Sequence, residues 1–225
     1  ESLCHAFDYT EPGAGIYGIA QILDKALADG GVTKLYYDVE LPLADLLYRM
    51  ECEGVKVDMQ LRDKMSAEMR AQMETLTQRI YELAGETFNI NSPKQLATIL
   101  YDKLKLPKGK KTHKGFATTN SDAMEYLRDK HPIVEAVMEY RKVAKLLSGY
   151  VDGLRPLVKG GLVHTTFNQT LTSTGRLSSS DPNLQNIPVR DEIGKEIRRM
   201  FVSKYGLFVG ADYSQIELRL LANFS

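Results

Sequence analysis

TGRLSSSDPNLQNIPVR occupies residues 174–190, and DYSQIELR occupies residues 212–219. These two stretches decide how the rest of the chain reads. In the first, Ser178, Ser179, Ser180, Asp181 and Asn183 gather around Pro182, a composition that makes ordinary turns. The same stretch also holds Arg176, Asn183, Gln185, Asn186 and Arg190, a row of amide and guanidinium donors. The minor groove offers acceptors at every base pair, purine N3 and pyrimidine O2. Arg, Gln and Asn are the side chains that test pair shape there without testing sequence, a contact that a template-copying protein needs. Arg176 follows Gly175, so the backbone can bend to send its guanidinium outward.

The second stretch places a carboxylate, Asp212, at a predicted junction. Phe201–Asp212 reads as a short apolar hairpin with Leu207-Phe208-Val209 as a buried strand, and Ser214–Phe224 reads as a helix with Ile216, Leu220, Leu221 and Phe224 inward. A carboxylate at the carboxyl end of a strand, facing a cleft, suits a hard metal ion. An Asp there is also a good helix N-cap. Glu217 falls one helical turn from Tyr213 on the same face, where an acid is either solvated or lines the cleft.

Upstream, the pattern is helical. Leu43, Leu46, Leu47 and Met50 predict a helix from Glu40 to Gly54, followed by a strand at Val55-Lys56-Val57 and a cap at Asp58. Leu61, Met65, Met69, Met73, Leu76, Ile80 and Leu83 then form one narrow stripe ending at Gly85. Such a seam needs one partner helix. Ile133, Val137, Tyr140, Ala144, Leu147 and Val151 supply it, so two long antiparallel helices are expected to project as an arm. The methionines are read as core packing.

Between the two stripes, Ser92, Pro93 and Gln95 form a capping-box pattern that opens a helix ending before Pro107. A Lys- and Gly-rich tip follows. Between Ser92 and Phe116 there are Lys94, Lys103, Lys105, Lys108, Lys110, Lys111 and Lys114 against the single acid Asp102. A solvated loop explains this bias. So does a grip on a phosphate backbone by the Lys cluster and the helix N-terminus at Ser92–Lys94.

Of the 225 residues 43% are hydrophobic and 26% charged, as in ordinary globular domains, and the formal net charge is zero. A globally basic nucleic-acid binder is therefore excluded, whereas contact with phosphate on one surface is not. Cys4 and Cys52 make neither a disulfide framework nor a metal spacing, and His5, His113, His131 and His164 are scattered. No apolar run approaches 18 residues, so no membrane partner is expected and the cytosol is the expected setting. Residues 1–36 read as a linker or the last helix of an upstream domain, patterned on Ile16, Ile19, Ile22, Leu23 and Leu27. The chain starts without Met and stops inside an apolar helical pattern at Phe224-Ser225, so both ends read as cuts in a longer protein.

TSTGRLSSSDPNLQNIPVR and GADYSQIELR resemble signatures of the A family of DNA polymerases, the second being similar to its motif A. FNINSPKQL, KKTHKG and HPIVEAVMEYRKVAKL resemble that family's thumb, and LPLADLLYRMECEGVKVD resembles the segment leading into the polymerase region. The likeness covers roughly residues 38–225. It implies an α+β, mostly helical fold: a long antiparallel helical thumb arm plus part of an antiparallel palm sheet, truncated before the fingers. The implied divisions are 1–37 as a linker from an exonuclease-like domain, 38–58 leading into the palm, 59–160 as thumb and 161–225 as partial palm.

The resemblance also implies roles. Asp212 resembles the first of two aspartates holding two Mg²⁺ ions, with the Tyr213 carbonyl as a further ligand. One ion would activate the primer 3′-hydroxyl, and the other would stabilise the pyrophosphate leaving group. Tyr213, Ser214 and Gln215 resemble residues at the incoming dNTP, and Glu217 resembles the steric gate against ribonucleotides. Arg176, Asn183, Gln185, Asn186 and Arg190 resemble contacts near the primer terminus. Ser92, Lys94, Lys110, Lys111, Thr112, Lys114, Arg141 and Lys145 resemble thumb contacts to the primer–template duplex. The fingers and the second aspartate are missing from this sequence. The expectation is thus a monomeric piece of a DNA polymerase acting in replication and repair, which alone binds duplex weakly and does not polymerise. A single-subunit RNA polymerase is disfavoured by Glu217. The alternative reading is a non-catalytic duplex-DNA clamp or an inactive relative; the intact DYSQIELR argues against an inactive relative, and a helical scaffold leaves the donor-rich block unexplained.

Overall fold

The computed structural model describes residues 15–108, 118–189 and 191–225. In chain order the elements are α1 (Gly15–Asp29), α2 (Leu41–Glu53), β1 (Val55–Val57), α3 (Met59–Ala84), α4 (Pro93–Ala97), α5 (Ser121–Leu127), α6 (Pro132–Leu146), β2 (Leu162–Val163), β3 (Thr166–Asn168), β4 (Ser178–Ser180), α7 (Glu192–Arg199), β5 (Phe201–Val202) and α8 (Ile216–Phe224). The fold is α+β and mostly helical, with small antiparallel sheets. The chain divides into two compact units, one holding residues up to Gly54 together with His164–Gln185, the other Val55–Val163 with Asn186–Ser225.

In the second unit, α3 begins where the sequence predicts. The Asp58 carboxylate accepts from Gln60 N and Leu61 N, both at 3.0 Å. The helix ends at Gly85, whose φ of 70° is the left-handed cap that glycine adopts without a Cβ penalty. α6 opens on Pro132 at its first turn, with His131 Nδ1 accepting from Ile133 N at 3.2 Å. One of the scattered histidines is thus a cap. A wide, π-type turn, Leu147–Val151, continues α6.

The two helices pack antiparallel. Arg62 near the start of α3 donates from Nε to the Val151 carbonyl (2.9 Å), while Gln72 meets Glu139 (2.9 Å). Met65, Met69, Leu76 and Ile80 are buried, as are Ile133, Val137, Tyr140, Val143 and Leu146. Arg62 itself is only 3% exposed, and its guanidinium is held by Asp63 and, at 3.2 Å, by Asp152. Asp152 also accepts from Ser66 (2.7 Å) and Arg70. A charge taken out of water this far persists only when its hydrogen bonds are all met, and the α3 side of the arm meets them at its base.

α4 continues as a second π-type segment, Thr98–Lys103, burying Leu96, Ile99 and Leu100. Ser92 Oγ accepts from Gln95 N at 3.4 Å as expected, but the Gln95 side chain caps Asn89 N (2.7 Å) instead of closing the box on Ser92. The Ser92 N–H is already engaged by the Asn89 carbonyl (2.9 Å), which leaves the glutamine free to reach further back. The short helix α5, N-capped by Asn120 on Ala123 N, was not anticipated from the sequence.

The sheet of this unit has the order β2-β1-β5, antiparallel throughout, with Val55 opposite Val163 and Val57 opposite Phe201. This corrects the expected hairpin over Phe201–Asp212. β5 pairs with β1, and Leu207-Phe208-Val209 is neither a strand nor buried, with Val209 95% exposed. A strand needs a neighbour to complete its N–H and C=O ladder, and none of the described residues pairs with 207–209. Likewise α8 buries no residue, against the expectation that Ile216, Leu220, Leu221 and Phe224 face inward. No described element covers them.

In the first unit, Tyr36–Glu40 forms a wide turn that runs into α2, with Leu47 buried. Gly54, at φ 62°, ends α2. The hairpin β3–β4 pairs Thr166 with Ser180 and Asn168 with Ser178. It is joined to α2 by Glu51, whose carboxylate accepts from Phe167 N (2.6 Å) and whose carbonyl lies 2.7 Å from His164 Nδ1. Gln169 Nε2 donates to the Glu40 carbonyl and carboxylate, at 3.1 and 2.9 Å.

Candidate nucleic-acid interface

The donor-rich block is divided between the two units. In the first, Arg176 is exposed on the loop between β3 and β4, following Gly175 at φ 73°. The Thr172 hydroxyl donates to the Arg176 carbonyl and so ties the loop's ends together. The turn after β4 is built by its hydroxyls. Thr165 Oγ1 lies 3.1 and 2.7 Å from the carbonyls of Ser180 and Pro182, and Ser179 Oγ accepts from Leu184 N at 3.0 Å. The Asp181–Pro182 peptide is cis. Asn183 Oδ1 accepts from Gln185 N (3.1 Å), an Asx turn. The hydroxyls of Thr165 and Ser179 and one asparagine oxygen therefore do the turn chemistry, while Asn183 and Gln185 both remain exposed. Sequence reasoning missed Glu51, Glu40 and Thr165 as supports of this loop. Their partners lie far off in sequence, or are main-chain atoms, so no spacing announces them.

In the second unit the block continues as Asn186–Val189, an irregular segment whose carbonyls are held by side chains. Tyr150 Oη donates to the Asn186 carbonyl (2.7 Å), and Arg198 donates to those of Ile187 (3.1 Å) and Pro188 (3.3 Å). Asp191 caps α7 through Gly194 N (2.7 Å) and pairs with Lys142 of α6 (3.0 Å). These two contacts hold its carboxyl below the usual carboxylate range, the Gly194 N–H contributing most. Gly194 permits close approach: a Cβ there would sit 2.5 Å from the Pro188 carbonyl oxygen. Asn186 is exposed, and Arg190 lies outside the described residues.

On the helical arm, Ser92 and Lys94 sit at the start of α4, Lys94 exposed. Lys110, Lys111, Thr112 and Lys114 lie outside the described residues. Of the other lysines pooled in the basic bias, Lys103 pairs with Glu86 (3.0 Å) and Lys108 with Asp102 (3.0 Å). A count along the sequence could not include Glu86. Lys145 is exposed on α6. Arg141 differs: its guanidinium is half-buried against the Thr119 carbonyl and hydroxyl, and burial lowers its pKa. Its local role is to tie α6 to the residues before α5.

Asp212, Tyr213, Ser214, Gln215 and Glu217 are all exposed. Gln215 has φ 56°, and Arg219 Nε donates to the Ser214 carbonyl (2.9 Å), closing the turn into α8. Asp212 does not cap α8, whose N-cap position is Gln215. Among the described residues no three His, Cys, Asp or Glu side chains come together as a metal site.

Residues 59–225 match DNA polymerase family A. The DNA polymerase I of Geobacillus stearothermophilus is 49% identical over 216 residues, covering 94% of this chain and 24% of that protein. The thermostable DNA polymerase I of Thermus filiformis is 50% identical over 195 residues, covering 85% and 23%. The structure of the POL domain of Pol1 from M. smegmatis, in complex with DNA primer-template and dNTP, superposes with a TM-score of 0.87 at 37% identity, over 98% of this chain and 41% of that one. The chain spans less than a quarter of the length of both relatives. It belongs to DNA polymerase family A.

Proposed function

We propose that this chain is the thumb and the first part of the palm of a DNA-directed DNA polymerase, which adds dNTPs to a primer 3′-hydroxyl on a template. The observation that carries the reading is the likeness, over 98% of the chain, to a POL domain held with primer-template and dNTP. The antiparallel pair α3/α6 with α4 and the Lys-rich tip (residues 59–160) would be the thumb. Residues 38–58 and 161–225 would be palm, and 1–37 the connection from an upstream domain. Duplex is gripped through phosphates by Ser92, Lys94, Lys145 and the tip lysines, a contact indifferent to sequence. Asn183, Gln185, Asn186, Arg176 and Arg190 donate to minor-groove acceptors near the primer end.

Asp212 and the Tyr213 carbonyl are this chain's contribution to a divalent-metal site, for which Mg²⁺ is proposed. One carboxylate and one carbonyl fall short of a hard cation's oxygen shell, so further oxygen ligands are needed to complete the site. Ser214 and Gln215 would meet the incoming triphosphate, and Glu217 would crowd the ribose 2′ position.

Primer extension tests the reading. The complete polymerase should lose extension by orders of magnitude on Asp212→Ala while its duplex affinity stays within about twofold. The 225-residue chain alone should not extend a primer with Mg²⁺ and dNTPs. Extension by that chain, or full activity of the Asp212→Ala enzyme, would overturn the assignment.

A further inference from the structure

We infer that Tyr150 and Arg198 are positioning residues for duplex recognition: they lock the backbone from which Asn186 presents its side chain. The inference rests on the function proposed above. Residues 186–189 belong to neither helix nor strand, so no ladder fixes their carbonyls. Three successive carbonyls are nevertheless occupied. Tyr150 Oη takes Asn186, Arg198 Nη2 takes Ile187, and Arg198 Nε takes Pro188. Tyr150 follows α6 in its wide terminal turn and Arg198 lies in the last turn of α7, so the segment is clamped between two helices of one unit.

Ile187 is buried beneath the segment, and Gly194 lets α7 approach the Pro188 carbonyl. The Lys142–Asp191 pair fastens the segment's far end to α6. That pair is partly exposed on both sides and adds little by itself. The two side chains that hold carbonyls set the geometry. An exposed asparagine on an irregular backbone recognises a base edge only if its main chain is fixed, because each misplaced rotamer or peptide must be ordered on binding. Sequence gives no sign of this arrangement, since a tyrosine and an arginine 48 positions apart meet on main-chain atoms.

The test is binding of a labelled primer–template duplex to the 225-residue chain at low salt, with thermal melts alongside. Tyr150→Phe removes one hydroxyl and should raise Kd about three- to tenfold, because the segment must then be ordered on binding, while the melting midpoint falls by no more than a few degrees and the chain stays folded at the binding temperature. In an Asn186→Ala background the same change should raise Kd by less than about twofold, because the lost positioning then has nothing to aim. Arg198→Lys keeps the charge, loses the fork and should repeat the pattern. Tyr150→Phe and Arg198→Lys binding at unaltered affinity would overturn the inference, and so would an equal effect in both backgrounds. An Asn186→Ala chain that binds as tightly as the unaltered one would likewise overturn the inference alone, whereas no salt-sensitive binding by the unaltered chain would count against the function reading and the inference with it.

Discussion

The helix pair α3/α6 and the helix α8 carry apolar residues at the same three- and four-residue spacing, and their fates differ. Ile80, Val137 and Val143 are 0% exposed, whereas Leu221 is 64% exposed and Phe224 84%. An apolar stripe becomes core only where the chain supplies a facing stripe. α3 and α6 supply each other's, and α8 has none among the described residues. The same contrast governs charge. Arg62 is buried because Asp152, Asp63 and the Val151 carbonyl enclose it, while Asp212 stays exposed and joins no group of three or more His, Cys, Asp or Glu among the described residues.

Substitutions can break or sharpen this contrast. Ile80→Ala should cost about 4 kcal/mol, since a fully enclosed side chain leaves a cavity that its neighbours fill only in part. Leu221→Ala should stay within about 0.5 kcal/mol. Urea unfolding measures both, and comparable losses would mean that α8 is packed after all. Asp152→Ala should cost about 2 kcal/mol, because Arg62 Nη2 and the Ser66 hydroxyl lose their acceptor while Asp63 and the Val151 carbonyl still hold the guanidinium. A near-neutral result would mean that Arg62 escapes to water.

The smallest effect concerns Asp191. Its carboxyl is held below the ordinary value of 3.8 by the Gly194 N–H and by Lys142. Its contribution is thus complete above that value and disappears as pH falls through the lowered one. The stability difference between the protein and Asp191→Asn should be flat at neutral pH and shrink only in strong acid. A difference that shrinks between pH 7 and 5 would contradict the assigned cause.

Much of the arm was legible in the sequence because its signals are local: Asp58 at the cap, Gly85 at the stop, Ser92-Pro93 at the next start, and a stripe at helical spacing between them. Motif-like stretches gave the family, which the comparisons bear out. What stayed hidden depends on pairs distant in sequence. Glu51 on Phe167, Arg62 on Asp152, Tyr150 on Asn186 and Glu86 on Lys103 leave no periodic trace. The strand expected at Leu207-Phe208-Val209 failed for a related reason. Apolar runs announce a wish to be buried, and only a neighbouring strand, which periodicity does not report, turns that wish into a sheet.

The central claim is that the helical arm holds duplex DNA through phosphates while Asp212 takes no part in that grip. Binding of the 225-residue chain to a labelled primer–template across a salt series tests it most directly, beside Asp212→Ala and a variant with Lys110, Lys111 and Lys114 changed to Ala. The account predicts weak binding that falls with salt, flattens in slope with the lysine changes, and ignores Asp212→Ala. Binding indifferent to salt and to the three lysines, or no binding even at low salt, would contradict it.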